Sequence, residues 1–137
     1  RGSNFLLTMQ KLAQARNQLK VVDDQIGGPT WSRTIAEGTV CILGPSLKGH
    51  VIKAPILSHS GVFHMTCGGK TSWFGFANKI LELSNLSEGT EVISIPTIEY
   101  PTPAIRPKYS LLSNRKLQQT FHNEMPQWQE ALRECLS

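Results

Sequence analysis

Gln18-Leu19-Lys20-Val21-Val22-Asp23-Asp24-Gln25-Ile26-Gly27-Gly28-Pro29-Thr30 is the stretch that decides the fold class. Leu19, Val21 and Val22 predict a short strand over residues 18 to 22. Residues 23 to 30 read as a loop, because Gly27, Gly28 and Pro29 break any regular element. Before the strand, Asn4 is a good helix N-cap. Phe5, Leu6, Met9, Leu12 and Ala13 then recur at helical spacing, which predicts an amphipathic helix over residues 5 to 16. After the loop, Thr30 stands where it can cap a second helix with Ile35, Ala36, Val40 and Leu43 as apolar positions, ending near Gly44-Pro45.

The same alternation continues outward. Residues 44 to 60 read as a loop around a short apolar piece, Val51-Ile52. Residues 61 to 67 predict a strand, with Val62, Phe63 and Met65 apolar and His64 polar. Gly68-Gly69-Lys70 turns the chain, and Thr71 or Ser72 caps a third helix running to about Leu83. Trp73, Phe76, Ala77, Ile80 and Leu81 fall on one side of that helix. Val92-Ile93-Ser94-Ile95 predicts another strand. Pro96, Pro101, Pro103 and Pro107 keep the following segment extended or turned. Ser113-Asn114 opens a short helix, Pro126 sits where a first helical turn tolerates it, and Trp128, Ala131, Leu132 and Cys135 line the last helix. Strands alternating with helices define an α/β fold with few short strands and flanking helices. Three short strands make a thin sheet, more stable beside a larger one, which points to a partner segment outside these residues.

Composition narrows the partners. The 137 residues suit one domain, and 39% hydrophobic with 18% charged is a globular balance. A net charge of +4 fits a solvated, mildly basic surface first, and leaves room for an anionic ligand such as a nucleotide or phosphate. Lys and Arg are scattered without a basic run, so nucleic acid is not expected. No apolar run approaches the roughly 20 residues of a membrane span, so no membrane partner is expected. Cys41, Cys67 and Cys135 are odd in number and form no Cys-x-x-Cys pair, which fits reduced thiols in the cytoplasm.

Most motifs of chemistry are absent. Neither Gly-x-Gly-x-x-Gly nor Gly-x-x-Gly-x-x-Gly occurs, so no cofactor-binding residue is expected here. Gly44 to His50 imitates a phosphate loop but carries His50 where the lysine belongs. His50, His59, His64, His122 and the cysteines show no paired ligand spacing, so no metal site is expected. A short-chain reductase passes a proton from a Tyr whose pKa is lowered by a Lys four residues later. Tyr100 is followed at that distance by Ala104 and Tyr109 by Ser113, so no catalytic residue is expected either.

Four blocks in a fixed order carry a family resemblance. They are Gly2 to Met9; Val21 to Trp31; Gly61 to His64 with Gly68 to Trp73 and Phe76-Ala77; and Tyr100 to Pro107 with Leu112, Lys116-Leu117 and Pro126-Gln127-Trp128. Together they resemble the C-terminal half of dTDP-4-dehydrorhamnose reductases, extended short-chain reductases of the dTDP-L-rhamnose pathway. The resemblance implies that residues 1 to 137 are a C-terminal substrate-binding portion. An N-terminal Rossmann portion, absent from this chain, would hold NADPH or NADH and the Tyr-x-x-x-Lys pair. The chain would begin just after that pair and reduce nothing alone. In the whole protein, hydride would go to C4 of dTDP-4-dehydro-L-rhamnose, giving dTDP-L-rhamnose. The competing implication is a non-catalytic relative of the methionine adenosyltransferase regulatory-subunit type, acting by binding a partner enzyme.

Four residues are the expected substrate contacts. Arg106, in a loop stiffened by Pro103 and Pro107, can match a diphosphate bidentately or close a surface ion pair. Gln25 can present its amide to a sugar or base, or brace its own loop. Asn4 and Phe5 can line the pocket, or serve as an N-cap and a core aromatic. Trp31, Trp73 and Trp128 are expected to pack rather than stack on a ligand. Some family members carry a glutamate at the place of Arg33 that helps bind magnesium across a dimer. The resemblance therefore implies a homodimer without a metal bridge.

Overall fold

Asn4 leaves an extended backbone and its side-chain oxygen accepts from the Leu7 amide at 2.9 Å, which starts helix α1 (Phe5–Ala15). The computed structural model describes residues 2–47 and 58–137. Strand β1 (Gln18–Val22) follows and pairs in parallel with β4 (Glu91–Ile95), with Leu19 opposite Val92 and Val22 opposite Ile95. Parallel pairing demands a crossover, and the intervening chain supplies it with helices. Those are α2 (Ser32–Leu47) and α3 (Trp73–Leu83), while a shorter antiparallel pair joins β2 (Ile26–Gly27) to β3 (Thr71–Ser72). A 3-10 turn (Thr97–Glu99), α4 (Arg115–Phe121) and α5 (Trp128–Leu136) complete the order.

The core gathers on α3. Ala77, Ile80 and Leu81 are fully buried, and the helix packs against α1, β1, β4 and α5. Met9 from α1, Leu19 and Val21 from β1, and Trp128, Ala131 and Leu132 from α5 close the cluster. These are the positions marked by helical and strand periodicity, so burial follows the pattern. Thr90 is the buried polar tie: its hydroxyl sits 2.8 Å from the Ala13 carbonyl and 2.9 Å from that of Arg16, holding the end of α1 to the start of β4.

Ser72 fastens α3 to the loop after β1. Its hydroxyl accepts from the Gly75 amide at 3.0 Å as an N-cap and donates to Asp23 Oδ1. Ser72→Ala removes both bonds and is expected to lower stability by about 1–2 kcal/mol. The check is a urea midpoint that falls at unchanged slope. A midpoint equal to wild type would rule this cap out.

Several expectations need correction. Residues 61–67 form no strand; Val62 is 77% exposed, and their polar groups find side chains instead of a ladder. Thr66 N donates to Asn114 Oδ1, Cys67 N to Thr30 Oγ1, and Lys116 Nζ to the Val62 carbonyl. Thr30 is therefore spent on Cys67 and the Gly28 carbonyl and does not cap α2, which begins at Ser32. Within the loop after β1, Ile26–Gly27 is ordered as a strand by pairing with Thr71–Ser72. Helix α2 runs to Leu47, past Gly44-Pro45, although an interior proline removes one helical hydrogen bond and crowds the carbonyl four residues before it. Pro126 precedes Gln127, the N-cap of α5, and so lies outside its first turn. Most of the loop expected at 44 to 60, with Val51-Ile52 and His50, lies outside the described residues.

Candidate functional site

The start of α1, the loop through β2, the β3–α3 junction and one face of α5 converge on a cavity of about 740 Å³. The Pro-rich segment closes a further side with Arg106, Pro107 and Ser110. That segment is tied to the β2 loop by main-chain bonds. Ile26 N donates to Lys108 O at 2.8 Å and Ser110 N to Ile26 O at 2.9 Å. Arg106 and Gln25 are thus carried on two stretches stitched to each other.

One wall is a run of rings. Trp73 meets Phe5 at 4.7 Å between centroids, Phe5 stacks on Phe76 at 5.6 Å, and Phe76 meets Trp128 edge-on at 5.8 Å. Trp31 also lines the cavity, with the Arg33 guanidinium 5.4 Å from its ring centroid. Trp128 is buried, and its indole Nε1 is a buried donor without a partner among the described residues. Leaving such a donor unmet is costly. Trp73, by contrast, is 38% exposed and offers much of its ring to solvent.

Charge is sparse. Among the described residues lining the cavity, Arg106 alone is charged, and it makes no hydrogen bond or ion pair. The surface ion pairs go elsewhere, to Arg33–Glu37 and Lys79–Glu82.

Gln25 is buried and lines the cavity, and its Nε2 donates to Thr97 Oγ1 at 3.0 Å. Thr97 in turn donates to Asp24 Oδ1 from its amide at 2.9 Å and from its hydroxyl. The hydroxyl bond is the chief reason the Asp24 carboxyl is held below its ordinary pKa. Burial opposes the shift, and the Thr97 amide and Lys108 add to it more weakly. Asp24 is therefore an ionised acceptor through the neutral range.

The structure brings all four expected contacts, Arg106, Gln25, Asn4 and Phe5, to this one cavity. Asn4 and Gln25 each also have the local job that the sequence allowed, as an N-cap and as a loop brace. The aromatic wall went unread, because the helical spacing of Trp73, Phe76 and Trp128 signals burial without saying that one edge borders a hollow. An apolar wall, an unpaired cation and a fixed amide can together meet an anionic group and a ring.

The fold is an α/β unit in which a few short strands flanked by helices border one cavity. The chain belongs to the family described as the RmlD substrate binding domain, whose model matches residues 1–137. It is 42% identical to the dTDP-4-dehydrorhamnose reductase of Burkholderia thailandensis, over 99% of this chain and 47% of that protein. The solved dTDP-4-dehydrorhamnose reductase of Clostridium acetobutylicum superposes with a TM-score of 0.82 at 35% identity, covering 97% of this chain and 42% of the other. That of Bacillus anthracis, solved in complex with NADP, gives 0.81 at 32% identity, covering 98% and 43%. The chain thus spans a little under half the length of the relatives it matches. The resemblance read from the four blocks is borne out, as is the α/β class.

These 137 residues hold no dinucleotide glycine fingerprint, and neither tyrosine has a lysine four positions on. No described helix is long and apolar enough to cross a membrane.

Proposed function

We propose that the chain is the substrate side of a dTDP-4-dehydrorhamnose reductase, residues 1–137 forming the C-terminal substrate-binding portion. The observation that carries this reading is the unpaired Arg106 facing an aromatic-walled cavity. Its guanidinium takes two diphosphate oxygens, which no neutral side chain does as well. The rings beside Phe5 offer the base and sugar apolar surface, and Gln25 and Asn4 add polar points to the lining. The chain's part is to bind the nucleotide-sugar, orient its C4 ketone and keep water from its apolar side. Hydride from NADPH or NADH, and the proton that completes the alcohol, come from an N-terminal Rossmann portion outside these residues. The product is dTDP-L-rhamnose. The protein works in the cytoplasm as a homodimer without a metal bridge, because the place of the magnesium-binding glutamate is Arg33, committed to Glu37 at 2.7 Å.

Full-length protein given dTDP-4-dehydro-L-rhamnose and NADPH is expected to oxidise NADPH in step with dTDP-L-rhamnose formation. The same assay with NADH sets the cofactor preference. A protein that binds the nucleotide-sugar yet consumes neither cofactor would instead belong with the non-catalytic relatives.

A further inference from the structure

The hydrogen bonds around Gln25 have only one consistent direction. A carboxylate can only accept, so the Thr97 hydroxyl bonded to Asp24 must donate its single proton there. Thr97 Oγ1 then has only lone pairs left, and whatever meets it must donate. Gln25 is what meets it, so the NH₂ end of the amide faces Thr97. An amide's two ends are otherwise interchangeable by a half-turn. Here that turn would set the Gln25 carbonyl against an oxygen with no proton to give. The Gln25 carbonyl oxygen takes no hydrogen bond from any described residue, and Gln25 lines the cavity.

We propose that Asp24 and Thr97 are positioning residues that lock the Gln25 amide with its carbonyl oxygen toward the cavity, so that this point accepts a ligand hydroxyl and turns away phosphate oxygens. The inference rests on the nucleotide-sugar reading and adds a division of labour to it. Phosphate oxygens are acceptors, as the carbonyl is, and belong to Arg106. Sugar hydroxyls can donate and belong to Gln25. The lowered pKa of Asp24 agrees with this, since it keeps the first acceptor of the relay ionised. Two hydroxyl sources are available in a dTDP-sugar: the hexose and the deoxyribose 3′-hydroxyl.

The test uses full-length protein and calorimetric titration of dTDP-L-rhamnose, dTDP and 3′-deoxy-dTDP. The first two ligands differ by the hexose, the last two by the 3′-hydroxyl. In wild type one of these steps adds affinity, and Thr97→Val, which lets the amide turn, is expected to cut that gain roughly three- to tenfold. Thr97→Ser restores the hydroxyl and the gain. Independently of any ligand, the Gln25 side-chain NH₂ signals are followed by nitrogen-edited NMR, assigned by their loss in Gln25→Leu. They are expected to move to free-amide positions in Thr97→Val and to hold in Thr97→Ser. Unmoved amide signals, or a full hydroxyl gain retained in Thr97→Val, would overturn the proposal. If wild type binds none of the three ligands, the nucleotide-sugar reading falls, and the amide signals alone decide the relay.

Discussion

Arg106→Ala is expected to weaken dTDP binding by roughly 10- to 100-fold, the worth of a charge-assisted pair of hydrogen bonds at about 1.5–3 kcal/mol. The size of the effect comes from the loneliness of the charge. Arg106 alone among the described residues gives the cavity wall a formal charge, and no carboxylate neutralises it. Removing it leaves a diphosphate facing rings and amides. Because no internal partner is stranded by the change, folding stability should stay near wild type. Arg106→Lys keeps the cation but loses the planar fork, so it should recover only part of the affinity. Salt gives a second signature: added chloride should weaken wild-type binding and affect Arg106→Ala much less. Calorimetry with dTDP at two ionic strengths checks both. Equal affinity of wild type and Arg106→Ala would remove the diphosphate role and with it the main support for the substrate-side reading.

What the sequence made legible, and what it did not, divides along one line. Elements held by their own periodic apolar positions were readable. Ala77, Ile80 and Leu81 mark α3, and Leu19, Val21 and Val22 mark β1. Features made by partners far along the chain were not. Val62, Phe63 and Met65 suggest a strand, but a strand needs a neighbour to take its amides. Here the neighbours are the side chains of Asn114 and Thr30. Both residues are good helix caps by type, and both are diverted to a tertiary bond. The site splits in the same way. Arg106, Gln25, Asn4 and Phe5 could be proposed from the family blocks and their chemistry, since each carries its own signal. Thr97 could not, because its role exists only through Gln25, 72 positions away. Trp128 reads correctly as a core residue, yet nothing in its spacing reveals that its indole nitrogen lacks a partner.

The junction that sets the far wall of the cavity is where a single methyl group should do most harm. Gly68 and Gly69 run beside the start of α5, with Gly68 N donating to Pro126 O and Trp128 N to Gly68 O. Gly69 has a φ of +81°, in the region an L side chain rarely enters. A Cβ there would lie 2.9 Å from Gln127 Oε1 and 3.0 Å from Trp128 Cδ1. The Gln127 end can swing away, but Trp128 is 6% exposed and wedged against Phe76, so it can move only by disturbing the core. Gly69→Ala therefore combines left-handed strain of roughly 1–2 kcal/mol with overpacking of about 1–3 kcal/mol. A loss of about 2–5 kcal/mol is expected, read as a lower thermal midpoint with altered Trp128 fluorescence. Gly89→Ala is the matched control: a Cβ at Gly89 meets nothing within 4 Å and its φ is not positive, so stability should hardly change. Since Trp128 is also a wall of the cavity, Gly69→Ala should weaken dTDP binding even at temperatures where the protein stays folded. If Gly69→Ala unfolds at the wild-type midpoint, the Gly68-Gly69 turn does not clamp α5 in place, and the aromatic wall must be held by α3 and α1 alone.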